Sequence, residues 1–162
     1  MRKPPLQLEG CFFTRVDISS SPDVKNEDRP EIEVAVTTWP DRPESLNWFT
    51  ILTVKLTPQK EAKATYVGTV EIFGSFSVDS AWPKEQIERL VYINGSGILY
   101  ASAREMICQV TARGLYKMFM LPSWSFASMY EEKIKKDSKA DALGEKKQES
   151  KISENQNPVS KK

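Results

Sequence analysis

The stretch LYASAREMICQVTARGLYKMFMLPSWSFASMY, residues 99–130, decides how the chain is read. Apolar residues at Leu99, Ala103, Met106, Ile107 and Val110 recur at helical spacing and stop near Arg113-Gly114. Gly114 is the expected C-terminal cap of that helix. An apolar run comes next, Leu115, Tyr116, Met118, Phe119, Met120 and Leu121, closed by Pro122. A last short helix is expected from about Phe126 to Lys136. Nothing in the stretch looks like a chemical site. Methionines beside aromatic rings suit a surface that fits many shapes, because thioethers are flexible and flat rings stack on varied partners.

Upstream, four segments alternate with period two, as strands with one buried face do. In Leu6–Ile18 the even positions are Leu6, Leu8, Gly10, Phe12, Val16 and Ile18. Glu31–Thr38 places Ile32, Val34 and Val36 on one face, and Glu31 and Glu33 on the other. Asn47–Thr57 aligns Trp48, Leu52, Val54 and Leu56; Ala64–Val78 aligns Tyr66, Val70, Ile72, Phe76 and Val78. Polar second faces argue for an antiparallel sheet covered on one side. The polar loop Ser19–Pro30 is too long for a hairpin, so strands one and two are not expected to be simple neighbours. Gln59–Lys63 suits a hairpin between strands three and four. After Trp82-Pro83, a helical stretch around Ile87, Leu90 and Val91 reaches Asn94-Gly95-Ser96-Gly97, which is expected to end it, with Ser96 starting the next.

The fold class is therefore α+β: a four-stranded antiparallel sheet, a long crossover loop after strand one, a long broken helix and a short C-terminal helix. The expected domain covers residues 1–136. Beyond it the apolar pattern collapses into a Lys-rich stretch, 137–162, expected to be disordered. One sheet face and one or two helices make two layers only. The helix around Ala103, Met106, Ile107 and Val110 is apolar on more than one side, which points to burial against a partner subunit.

Composition excludes several chemistries. The chain has 162 residues and no histidine, which removes His-based acid–base catalysis, Ser/His and Cys/His pairs and most zinc sites. Arg104-Glu105 has no second catalytic group beside it and reads as a surface or interface ion pair. No Gly-rich phosphate loop, cofactor motif or metal-ligand cluster stands out. The net charge is +1, but residues 133–162 carry nine Lys against five acidic residues, leaving the folded part mildly acidic. That tail lacks the interleaved aromatics of a nucleic-acid binder. There is no apolar signal-peptide core, and no run approaches the roughly 18 apolar residues of a membrane helix, so a cytoplasmic protein with reduced Cys11 and Cys108 is expected.

Three motifs in order resemble those of the SecB family of export chaperones. Tyr100-Ala101-Ser102-Ala103-Arg104-Glu105 with Arg113-Gly114 resembles the family's aromatic-x-x-Ala-Arg-Glu … Arg-Gly helix. Gly74-Ser75-Phe76-Ser77-Val78 resembles the end of its fourth strand, and Leu121-Pro122-Ser123-Trp124-Ser125-Phe126 its entry to the last helix. The resemblance covers about residues 6–133. It implies a homotetramer, a dimer of dimers, that acts as an ATP-independent holdase for unfolded polypeptides, either preproteins or a dedicated client such as an antitoxin. On that reading Tyr66, Met118, Phe119, Met120, Trp124 and Phe126 are the groove residues, and Ala103, Met106, Ile107 and Val110 the subunit interface. Asp17 is the remaining candidate for the patch that contacts SecA. Thr69 stands where the family has a glutamate in that patch, and Asp28 where it usually has an aromatic, so weak SecA binding is expected. The rival reading, a small-molecule or lipid-binding α+β domain, would need an enclosed pocket that these polar strand faces do not build.

Overall fold

The computed structural model describes residues 4–20, 22, 24, 28–59 and 63–138. Four antiparallel strands, β1 (Leu6–Ser20), β2 (Glu31–Pro40), β3 (Asn47–Thr57) and β4 (Tyr66–Val78), form one sheet in the order β1-β4-β3-β2. The long connection after β1 thus crosses to the far edge of the sheet, and β2, β3 and β4 run on as a meander. A single 3₁₀ turn, Lys84–Gln86, opens the helical layer. Then come α1 (Ile87–Leu90), a π-turn (Val91–Gly95) and α2 (Ser96–Thr111). Residues 126–138 form α3. The chain divides into two compact units at 126/127, and the described part of the second, 127–138, is helical. Most of the expected tail, 139–162, lies outside the described residues.

Alternation works as expected in β3 and β4. Leu52, Val54, Val70, Ile72 and Phe76 are buried on the helix side, while Thr53, Glu71, Ser75 and Ser77 face away. Leu99, Ala103 and Ile107 of α2 complete this core at 0% exposure. Each fully buried Leu or Ile contributes roughly 2 kcal/mol by transfer from water.

β1 departs from the expected pattern. Its register against β4 shifts between Leu8 and Gly10 and again between Phe13 and Arg15. Each shift inserts one residue and turns the next part of the strand to the other face, because side chains alternate with period two. Leu6, Leu8, Val16 and Ile18 stay with the helix-side row, opposite Val78, Phe76, Val70 and Gly68. Between the bulges the faces exchange: Phe13 pairs with Ile72 on the helix side, and Phe12 with Phe73 on the outer side. Gly10 and Phe12 therefore do not share a face with Leu6.

The Asn94–Gly97 segment also differs from expectation. Gly95 has φ −60° and ψ −47°, so the helix runs through it. The interruption is a wider turn in a continuous helix. Glycine is needed for packing: a Cβ on Gly95 would come within 3.2 Å of the Phe76 ring, and one on Gly74 within 2.7 Å of Leu99. Two glycines thus let sheet and helix approach closely around Phe76 and Leu99.

Candidate polypeptide-binding loop

The loop between α2 and α3 is held at three places, and its apolar side chains project between them. The first anchor is Tyr66, 3% exposed at the start of β4. Its hydroxyl lies 3.1 Å from the carbonyls of Thr111 and Tyr116 and shares its proton between them. The Tyr116 ring meets the Tyr66 ring edge-on at 6.1 Å. A Cβ on Gly114 would stand 2.7 Å from that hydroxyl, so this glycine serves a close approach. It is not the expected helix cap: α2 ends at Thr111, and the Gly114 N–H donates to the Thr111 carbonyl at 3.0 Å.

The second anchor is Thr111, fully buried at the end of α2. Its hydroxyl donates to the Ile107 carbonyl at 2.7 Å and accepts from the Phe119 N–H at 2.9 Å. The Cys108 thiol lies 3.5 Å from the Phe119 carbonyl. Sequence reading missed Thr111. Its only signal was a hydroxyl residue at the foot of an apolar helix, where such a group can bond loop backbone.

The third anchor joins the Tyr100–Glu105 helix motif to the Leu121–Phe126 motif. The Tyr100 hydroxyl donates to the Pro122 carbonyl at 2.8 Å. Its ring packs edge-on against Phe126 at 5.6 Å and lies 6.4 Å from Trp124. Burial pushes the Tyr100 phenol above its ordinary pKa, and the Arg104 guanidinium only partly offsets this, so the hydroxyl remains a donor. Tyr100→Phe should cost about 1 kcal/mol, the net worth of one such bond, read as a lowered midpoint in urea unfolding.

Between the anchors, Leu115, Met118 and Met120 are 74%, 50% and 52% exposed. Met118, Phe119 and Met120, with Tyr116, Arg29 and Thr65, line a cleft of about 220 Å³. Thr65 donates to the Asp28 carbonyl through both its N–H and its hydroxyl, at 2.9 and 3.2 Å, and the adjoining Arg29 lines the cleft together with Lys117. A shallower depression of about 360 Å³ lies along α2, walled by Ala101, Arg104, Cys108 and Trp124.

The expected groove residues therefore separate. Met118, Phe119 and Met120 share one cleft, and Trp124 lines another surface. Tyr66 and Phe126 are buried anchors. The expected interface residues separate too. Ala103 and Ile107 are fully buried within the single chain, whereas Val110 and Ile98 are exposed and Met106 is half-buried. Asp17 stands directly opposite Thr69 on the outer side of the sheet, paired with Arg15 at 3.0 Å. Among the described residues no helix is long and apolar enough to cross a membrane. Cys11 and Cys108 are free thiols.

A family model described as "Preprotein translocase subunit SecB" matches residues 4–137. The protein-export protein SecB of Hahella chejuensis is 25% identical over 138 residues, covering 83% of this chain and 86% of that one. That of Psychrobacter arcticus is 22% identical over 130 residues, covering 79% and 87%. Among solved structures, the Mycobacterium tuberculosis Rv1957 SecB-like chaperone, in complex with a ChAD peptide from the Rv1956 HigA1 antitoxin, shares the fold. Its TM-score is 0.59 at 14% identity, over 75% of this chain and 91% of that one. The family model spans both the sheet and the anchored loop, and the chain belongs to the SecB family, whose members are chaperones and not enzymes.

Proposed function

We propose that the protein is an ATP-independent holdase that binds unfolded polypeptide through the loop bearing Leu115, Met118 and Met120. The observation that carries this is the exposure of three large apolar side chains on a loop whose backbone is tied down at both ends and in the middle. A pre-ordered apolar surface binds without a large ordering cost of its own. Holding the unfolded state withdraws it from aggregation by mass action, with no nucleotide needed. The protein should suppress aggregation of a chemically unfolded client in the absence of ATP. Met118→Ser with Met120→Ser should weaken client binding about tenfold, since two central apolar contacts are lost. Both side chains are half exposed, so the melting temperature should barely move. Undiminished affinity in this double variant, by fluorescence anisotropy, would remove the loop from the binding site.

The working form on this reading is a cytoplasmic homotetramer, a dimer of dimers, with Ile98, Met106 and Val110 of α2 covered by a neighbouring copy. Closed symmetry accommodates such an arrangement. A second reading, chaperoning of one dedicated client such as an antitoxin, is favoured by the outer sheet face. There the family's SecA-contacting glutamate is replaced by Thr69, and the adjacent Asp17 is already paired with Arg15. Rim charges mainly set association rate and partner choice. Calorimetric titration of SecA should accordingly show weaker binding than an acidic export SecB gives. Equal affinity would favour general export.

A further inference from the structure

The two β1 bulges create a feature that alternation alone would not place on the sheet. With Phe12 turned outward, one aromatic residue from each strand meets on the face opposite the helices. Phe12 lies 5.0 Å from Phe73, Phe73 lies 5.5 Å from Phe49 and 6.3 Å from Trp39, and Trp39 lies 5.9 Å from Phe49. Ile51 is paired with Phe73 and fills the same row. Phe12 is 58% exposed and the others are half-buried. A contiguous apolar platform across a whole sheet is unusual on a solvent face and marks an interaction site.

The surrounding charge identifies the partner. Arg15 neutralises Asp17 at 3.0 Å, and Lys55 stands opposite Glu33 in the ladder. Among the described residues, these two cations face five outward carboxylates on the strands: Asp17, Glu33, Glu31, Glu9, which accepts from the Ser77 hydroxyl, and Glu71, which stands opposite Arg15 and accepts from Thr14. The rim is net negative, whereas the cleft at the Met118–Met120 loop carries Arg29 and Lys117. The two surfaces therefore select opposite charge. Exposed phenyl and indole faces also attract cations directly.

We infer that the outer sheet face is a second polypeptide-binding surface, which takes extended client segments carrying Arg or Lys among apolar residues. This rests on the client-binding reading of the loop and assigns such segments to the Phe12/Phe73/Phe49/Trp39 platform, separate from the loop cleft.

Two fluorescein-labelled peptides test it, one of Leu, Val, Ser and Arg, the other with Glu at every Arg. Each is titrated by anisotropy against the wild-type protein, a Phe12→Ser/Trp39→Ser variant and the Met118→Ser/Met120→Ser variant. The Arg peptide should bind the platform variant about tenfold more weakly, as expected for the loss of two aromatic anchors, and the Glu peptide should be unaffected. Raising salt should weaken the Arg peptide further. Separately, benzoylphenylalanine introduced at position 12 should cross-link the Arg peptide. Position 12 is exposed on an edge strand, so this readout stands even if the double variant folds poorly. Equal Arg-peptide affinity for wild type and platform variant, or no cross-link from a bound peptide, overturns the inference and leaves the loop reading intact. A fall in oligomer mass in the platform variant overturns it too, by making the face a contact between copies. If neither peptide binds the wild type, both readings fall.

Discussion

Ile107→Asp should unfold the protomer and should not release folded subunits. Ile107 is 0% exposed within a single chain, packed under its own sheet beside Leu99 and Ala103. A carboxylate placed there would be held out of water. Burying an unpaired charge costs several kcal/mol even after the group protonates. A domain of this kind holds only about 5–15 kcal/mol in total. The expected result is loss of the cooperative thermal transition. Val110→Asp is the contrasting variant. Val110 lies one turn further along α2 and is 36% exposed, with Ile98 at 37%. That variant should keep its thermal transition within a few degrees and lose mass in native mass spectrometry, because the charge enters the proposed contact between copies. A folded dimer of Ile107→Asp would return this residue to the subunit interface and contradict the packing described.

Thr111→Val should loosen the binding loop without disturbing the sheet. Valine has nearly the volume of threonine and fits the same buried site, so little packing is lost. The variant loses the acceptor for the Phe119 N–H and the donor to the Ile107 carbonyl. An amide left unpaired in a buried place costs about 1–3 kcal/mol. Urea unfolding should shift by about that amount. Hydrogen exchange at the Phe119 amide should accelerate before any change in β3 or β4, since local opening precedes global unfolding. Client affinity should fall with the loss of pre-ordering. Unchanged exchange at Phe119 would mean that the loop is held by Tyr66 and Tyr100 alone.

Much of this was legible in the residues because burial writes itself as period. The alternation at Leu52, Val54, Val70 and Ile72 located β3 and β4, and the Leu99–Val110 spacing located α2. Three details were not legible, each for a physical reason. The β1 bulges leave no local mark, because an inserted residue changes facing without changing residue type, and Phe12 was therefore assigned to the wrong face. Gly95 carries the same residue signal whether it ends a helix or admits a neighbouring ring, and only Phe76 decides between them. Periodicity reports that Ala103 and Ile107 are buried, but it cannot distinguish the protein's own sheet from a second copy. Tyr66 and Phe126 were read as groove residues on the same ambiguity, since an aromatic that anchors a binding loop and one that lines it look alike in a string of letters.

The loop's attachment has a consequence for how this protein can change over generations. Tyr66 and Thr111 grip it through the carbonyl of Tyr116 and the amide of Phe119, and Tyr100 grips it through the carbonyl of Pro122. Every residue offers the two carbonyls, and every residue except proline offers the amide. Substitutions at Leu115, Lys117, Met118 and Met120 can therefore alter which clients are preferred while the anchors, and with them most of the folding free energy, stay as they are. Stability and selectivity are assigned to different atoms of the same segment, so a lineage carrying this fold can shift from a broad diet of clients to a single one by small, individually tolerated steps.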